Sequence, residues 1–113
     1  MILFVDDDPL IAMSTTEMLE DLGHRVIGAS SGLRALDILK SDQPLDLMMT
    51  DHVMPGMTGI ELAAASRRVR PSLPILLATG YAELPEGSQL DLPRLAKPYH
   101  QAQLRDRLDQ LLG

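Results

Sequence analysis

The run Ile2-Leu3-Phe4-Val5 is apolar at every position and stops abruptly at Asp6-Asp7-Asp8. A strand with one face in water alternates apolar and polar residues, so an unbroken apolar run points to a strand covered on both sides. A like run stands at 74–78, which halts at Thr79-Gly80, and a mainly apolar one, interrupted by Asp46 and closed by Thr50, at 45–50, which halts at Asp51. Shorter runs at 25–29 and at Leu95-Ala96 complete the series, the last followed directly by Lys97-Pro98. Between the runs the apolar spacing changes to that of helices. Asp8 is placed as an N-cap before Pro9, and Ile11, Thr15, Met18, Leu19 and Leu22 form one stripe that Gly23 ends. Ser31-Gly32 opens a second helix on Ala35, Leu36 and Leu39; Leu62, Ala63, Ser66 and Val69 mark a third; Leu104, Leu108 and Leu111 mark the last. Strands that alternate with helices and are buried on both faces predict one doubly wound α/β domain over 1–113, with a parallel sheet.

Composition narrows the function. The 113 residues suffice for one domain, and 45% hydrophobic content supplies a core. With 16 acidic against 10 basic side chains the formal net charge is −6, the wrong sign for non-specific binding to nucleic acid or to anionic membranes. The chain has no Cys, which excludes disulfides, thiolate metal sites and cysteine nucleophiles. One Phe, two Tyr and no Trp offer little stacking surface for single-stranded nucleic acid. No apolar run approaches the roughly 20 residues that span a bilayer. Residues 1–5 are too short for a signal peptide, so the expected location is the cytoplasm.

The chemistry is expected where the runs end. Asp6, Asp7, Asp51, Thr79 and Lys97 each follow an apolar run directly. In an open parallel sheet the carboxyl ends of the strands border the binding crevice, so these residues converge from distant parts of the chain. Three carboxylates in one crevice repel one another and call for a cation. Oxygen donors without His or Cys select a hard ion, Mg²⁺ first, with Mn²⁺ or Ca²⁺ as substitutes. Mg²⁺ commonly shares its site with a phosphate, whose oxygens Lys97 and Thr79 would hold. A carboxylate in such a setting can act as a nucleophile and form an acyl phosphate.

The runs Phe4-Val5-Asp6-Asp7-Asp8-Pro9, Thr50-Asp51 with Met54-Pro55-Gly56-Met57-Thr58-Gly59, Ala78-Thr79-Gly80 and Lys97-Pro98-Tyr99 together resemble response-regulator receiver domains of two-component signalling. The likeness covers essentially the whole chain and in wording is closest to receivers of hybrid histidine kinases. It implies a flavodoxin-like, five-stranded sheet of order 2-1-3-4-5. It also implies that Asp51 is the phosphoacceptor, assisted by Thr79 and Lys97. Asp7 then resembles a direct Mg²⁺ ligand and Asp6 one acting largely through water, with the backbone carbonyl of Val53 completing the protein ligands. The Lys97–Pro98 bond is expected cis. The implied partner is a histidine kinase or a histidine phosphotransfer protein, with attachment to a larger kinase chain as one arrangement. The implied role is a phosphorelay switch rather than a turnover enzyme. Two departures concern output. Arg94 stands three residues before the lysine, where receivers usually carry an aromatic switch residue. The breaker-rich stretch 84–93 predicts a shortened helix, the fourth in chain order.

Plainer roles hold for other residues. Asp8 needs no function beyond its cap. His24, His52 and His100 lack partners at metal-ligand spacing and are expected to be exposed, and the seven Met residues are core or loop filler. Glu17, Glu20 and Asp21 form a solvated helix face. Two other functions compete with the phosphorelay reading. Asp6-x-Asp8 superficially matches the nucleophile motif of haloacid-dehalogenase-like phosphatases, although Pro9 and Ile11 do not fit its sequel and the chain is short for that fold. A receiver used only for docking would not need intact acids, Thr79 and Lys97.

Overall fold

Each apolar run forms a strand in the computed structural model, which describes residues 1–80 and 92–113. The elements are β1 (Ile2–Val5), α1 (Pro9–Asp21), β2 (Val26–Ala29), α2 (Gly32–Lys40), β3 (Leu47–Asp51), α3 (Gly59–Val69), β4 (Ile75–Thr79), β5 (Arg94–Ala96) and α4 (Gln101–Leu112). All strand pairs are parallel, and the sheet order is β2-β1-β3-β4-β5. The expected shortened helix falls largely in 81–91, outside the described residues.

β1 spans the expected 2–5, and the limits of the other strands differ from the sequence expectation by one or two residues. The informative shift is at the carboxyl ends. Asp51 and Thr79 are the last residues of β3 and β4 rather than the first residues beyond them, because a polar side chain does not interrupt main-chain pairing. Asp51 still pairs with Ala78, and Thr79 with Ala96.

Alternation along β1 divides the core in two. Leu3 and Val5 pack with Ala35 and Leu39 of α2 and Leu62 and Ala63 of α3. Ile2 and Phe4 pack on the opposite face with Leu19 of α1 and Leu104 and Leu108 of α4. The sheet is therefore covered on both sides, as the unbroken apolar runs require.

The helix ends follow local chemistry. The Asp8 carboxylate accepts hydrogen bonds from Leu10 N (2.9 Å) and Ile11 N (3.4 Å), confirming it as the α1 cap. Beyond α1, Gly23 adopts φ of 95°, a left-handed conformation that a side chain would strain. At α3, Thr58 and Glu61 form a reciprocal capping box: Glu61 N donates to Thr58 Oγ1 at 3.2 Å, and Thr58 N donates to Glu61 Oε1 at 3.0 Å. Arg70 follows α3 and donates to the carbonyls of Leu39 and Ser41, both at 2.9 Å, closing the exposed end of α2.

Candidate functional site

The strand order reverses direction between β1 and β3, which places the crevice at their carboxyl ends. Asp6 and Asp7 leave β1 there and Asp51 ends β3 beside them; one carboxylate oxygen from each lies within 4.8 Å of the others. Asp6 and Asp51 are each only 4% exposed, whereas Asp7 is open to solvent. Asp6 Oδ1 accepts the Asp8 amide at 2.9 Å, which fixes its carboxylate. Burial is the main force raising the Asp6 pKa above 3.8, and the charges of Asp51 and Asp7 push the same way against the Asp8 amide and Lys97.

β5 brings in the positive charge. The Lys97 backbone amide donates to Thr79 O at 2.8 Å, which extends β5 pairing past the strand, and its ammonium forms an ion pair with Asp51. Thr79 is buried at the end of β4. The Lys97–Pro98 peptide bond is cis, as the resemblance implied. Four strand ends thus bring together the three acids, the hydroxyl-bearing residue and the lysine named from sequence.

The loop after Asp51 closes on itself. Gly59 N donates to His52 O at 2.8 Å, while Gly56 turns the chain with φ of 82°. Gly59 has no room for a side chain: a Cβ there would stand 2.6 Å from Leu77 Cδ1 and 2.9 Å from His52 Cα, and would also collide with Asp51 O. Val53 begins the loop with its side chain exposed.

His52 corrects an expectation. Its side chain is only 8% exposed, and its buried Nδ1 has no hydrogen-bond partner. Strand geometry carries on past Asp51, since His52 N donates to Ala78 O at 3.2 Å. His52 therefore falls in phase with Met48, which faces α2 and α3, and the even spacing of residues 48, 50 and 52 was the overlooked signal. His24 is half-buried, and His100 is exposed as expected. Arg94 lies exposed on β5.

Sequence reasoning also missed a polar pair. Thr15, within the apolar stripe of α1, shares a 2.6 Å hydrogen bond with the Tyr99 hydroxyl. Its signal was a hydroxyl on an otherwise apolar face. Leu10 and Met13 stand out on α1, 75% and 61% exposed. No helix among the described residues is long and apolar enough to cross a membrane.

Comparison with known proteins places this site in a family. The family model "Response regulator receiver domain" matches residues 2–109. The response regulator receiver protein CpdR of Brucella abortus is 34% identical, over 98% of this chain and 95% of that protein. Sporulation initiation phosphotransferase F of Bacillus subtilis is 33% identical, over 98% and 92%. Among solved structures, a response regulator receiver protein from Sinorhizobium medicae superposes with a TM-score of 0.86 at 32% identity, covering 98% of this chain and 92% of that one. The receiver domain of the hybrid histidine kinase CckA gives 0.83 at 27% identity, covering 99% and 98%. The chain belongs to the response regulator receiver domain family.

Proposed function

We propose that this chain, acting as one unit over 1–113, is the phosphoacceptor switch of a phosphorelay and takes a phosphoryl group onto Asp51 from a phosphohistidine donor. The observation that carries this is the placement of a buried carboxylate between two further carboxylates and the Lys97 ammonium.

In the transfer, an Asp51 carboxylate oxygen attacks phosphorus in line with the breaking phosphorus–nitrogen bond. The electron pair of that bond returns to the donor imidazole, which leaves neutral when its other nitrogen already carries a proton. Lys97 starts on Asp51 and can pass to a phosphoryl oxygen as charge moves outward. Thr79, at the adjacent strand end, would donate to another.

The donor set fits Mg²⁺. Three carboxylates whose oxygens lie within 4.8 Å suit one hard cation, and the Asp51 and Asp7 charges, which add to burial in raising the Asp6 pKa, are ones a cation would offset. Asp7 and Asp51 would hold it directly, Asp6 largely through water, with the Val53 carbonyl. Bound there, Mg²⁺ would neutralise charge on the incoming phosphoryl group. The rest of the chemistry belongs to the chain's own side chains.

A histidine kinase or a histidine phosphotransfer protein is the fitting donor. Exposed Leu10 and Met13 beside the crevice supply apolar contact for it. The chain also matches 12% of the sensor kinase CckA of Brucella abortus at 30% identity, which supports such a unit working within a longer kinase chain as well. The group returns to water or passes to another carrier, so the unit turns over no separate substrate. A cytoplasmic location belongs to the same reading.

Acetyl phosphate with Mg²⁺, followed by intact mass, tests the proposal. Wild type should gain one phosphoryl group and Asp51→Asn none. Equal labelling of the variant would refute it.

A further inference from the structure

Two residues beyond Lys97, the chain makes a contact that the phosphoryl chemistry does not use. The Tyr99 hydroxyl meets Thr15 Oγ1 at 2.6 Å, across 84 positions of sequence. Gln101 Nε2 reinforces the junction by donating to Met18 O at 3.2 Å, one turn further along α1. The turn that carries Lys97 is thereby fastened to α1 at two points, while the lysine itself is fastened to Asp51.

Stability alone is a poor reason for the first of these contacts. Thr15 is 2% exposed, on the face of α1 that packs against the core. A buried hydroxyl contributes little net free energy even when paired, and replacing both partners of such a bond with apolar groups of the same shape is often nearly neutral. What a directed bond adds over apolar packing is a fixed distance. The field of the site reaches the Tyr99 hydroxyl too: its pKa lies above 10.0 chiefly through burial, with Asp6 and Asp51 raising it further and Lys97 opposing.

The same junction forms the floor of a surface groove of about 530 Å³, flanked by Ile11, Ser14 and Met18 on one side and Lys97 and Pro98 on the other. A displacement of the turn relative to α1 changes the width of that groove.

We propose that the Tyr99–Thr15 hydrogen bond makes Tyr99 a positioning residue, setting Lys97 against α1 and carrying the rearrangement at Asp51 out to the α1 groove. When Lys97 exchanges the Asp51 carboxylate for a phosphoryl oxygen, the turn follows it, and Thr15 follows Tyr99. This rests on Asp51 as phosphoacceptor, so the test reports on the two separately.

Backbone amide spectra of ¹⁵N-labelled protein are recorded before and after complete labelling by acetyl phosphate and Mg²⁺, with labelling verified by intact mass. Four proteins are compared: wild type, Tyr99→Phe, Thr15→Val and the double variant. In wild type the Thr15 and Met18 amides should shift on phosphorylation. In Tyr99→Phe and Thr15→Val those shifts should fall at least twofold. The double variant should recover the wild-type melting temperature without recovering the shifts, which a purely structural role would not produce. Full labelling with no α1 shift in wild type, or with shifts equally large in all four proteins, would overturn the proposal while leaving the phosphoacceptor intact. Absence of any mass gain would instead overturn the phosphoacceptor reading and this proposal with it.

Discussion

Asp6 is the residue where the site's charge is least comfortable. Its folded pKa lies above 3.8, mainly from burial and further from Asp51 and Asp7. A carboxyl raised on folding contributes stability that is present below its unfolded pKa and lost as pH rises through the folded value. Without divalent cation, Asp6→Asn should therefore raise the melting temperature by a few degrees at neutral pH, and the gain should fade as pH drops toward 3.8. The amide oxygen can still accept the Asp8 N–H, so the cap geometry survives. Thermal melts in a chelator at several pH values check this. With Mg²⁺ present the sign should invert, since the variant loses a ligand charge. The charged residues of the site were legible in sequence because each follows an apolar run. His52 and the Thr15–Tyr99 pair were not, because burial of a polar side chain depends on partners that no local pattern reveals.

At the level of elements, the α3 N-terminus couples a helix cap to the loop beside Asp51. Hydrogen bonds from the Thr58 backbone and side chain hold the exposed Glu61 carboxyl below its ordinary 4.5. A carboxyl lowered on folding contributes stability that is present above its unfolded pKa and lost as pH falls through the folded one. The denaturant midpoint of wild type should thus exceed that of Glu61→Gln above pH 4.5, and the difference should vanish once pH passes below the folded value. Two residues before Glu61, Gly59→Ala should destabilise by about 1–3 kcal/mol, because the new Cβ meets main chain at Asp51 and His52 as well as Leu77. Gly32→Ala should cost less, although its Cβ would lie 2.7 Å from Met57 Sδ and 2.9 Å from Met57 Cβ, since the thioether can swing aside and the Cβ belongs to a loop rather than to a strand of the sheet. Urea titrations of the two variants side by side distinguish them. Strands and helices could be read from apolar spacing, and β1 and the start of α1 to the residue, yet the carboxyl ends of β3 and β4 could not. Main-chain pairing runs on through Asp51 and Thr79, whatever their side chains.

For the molecule as a whole, a ligand that binds only the folded state stabilises it by mass action, reaching about 2.7 kcal/mol at 100 times its Kd. Mg²⁺ should therefore raise the melting temperature of wild type and leave that of Asp7→Asn nearly unchanged, as calorimetry at matched ionic strength would register. The doubly wound layout was legible because uninterrupted apolar runs have few homes besides a sheet covered on both faces. The two apolar clusters on either side of that sheet have a consequence for the protein's history. Neighbouring residues of β1 answer to different helices, Leu3 to α2 and α3, Phe4 to α1 and α4. A lineage can therefore revise one side, trading side chains behind α2 and α3 over generations, while the packing behind α1 and α4 stays as it was.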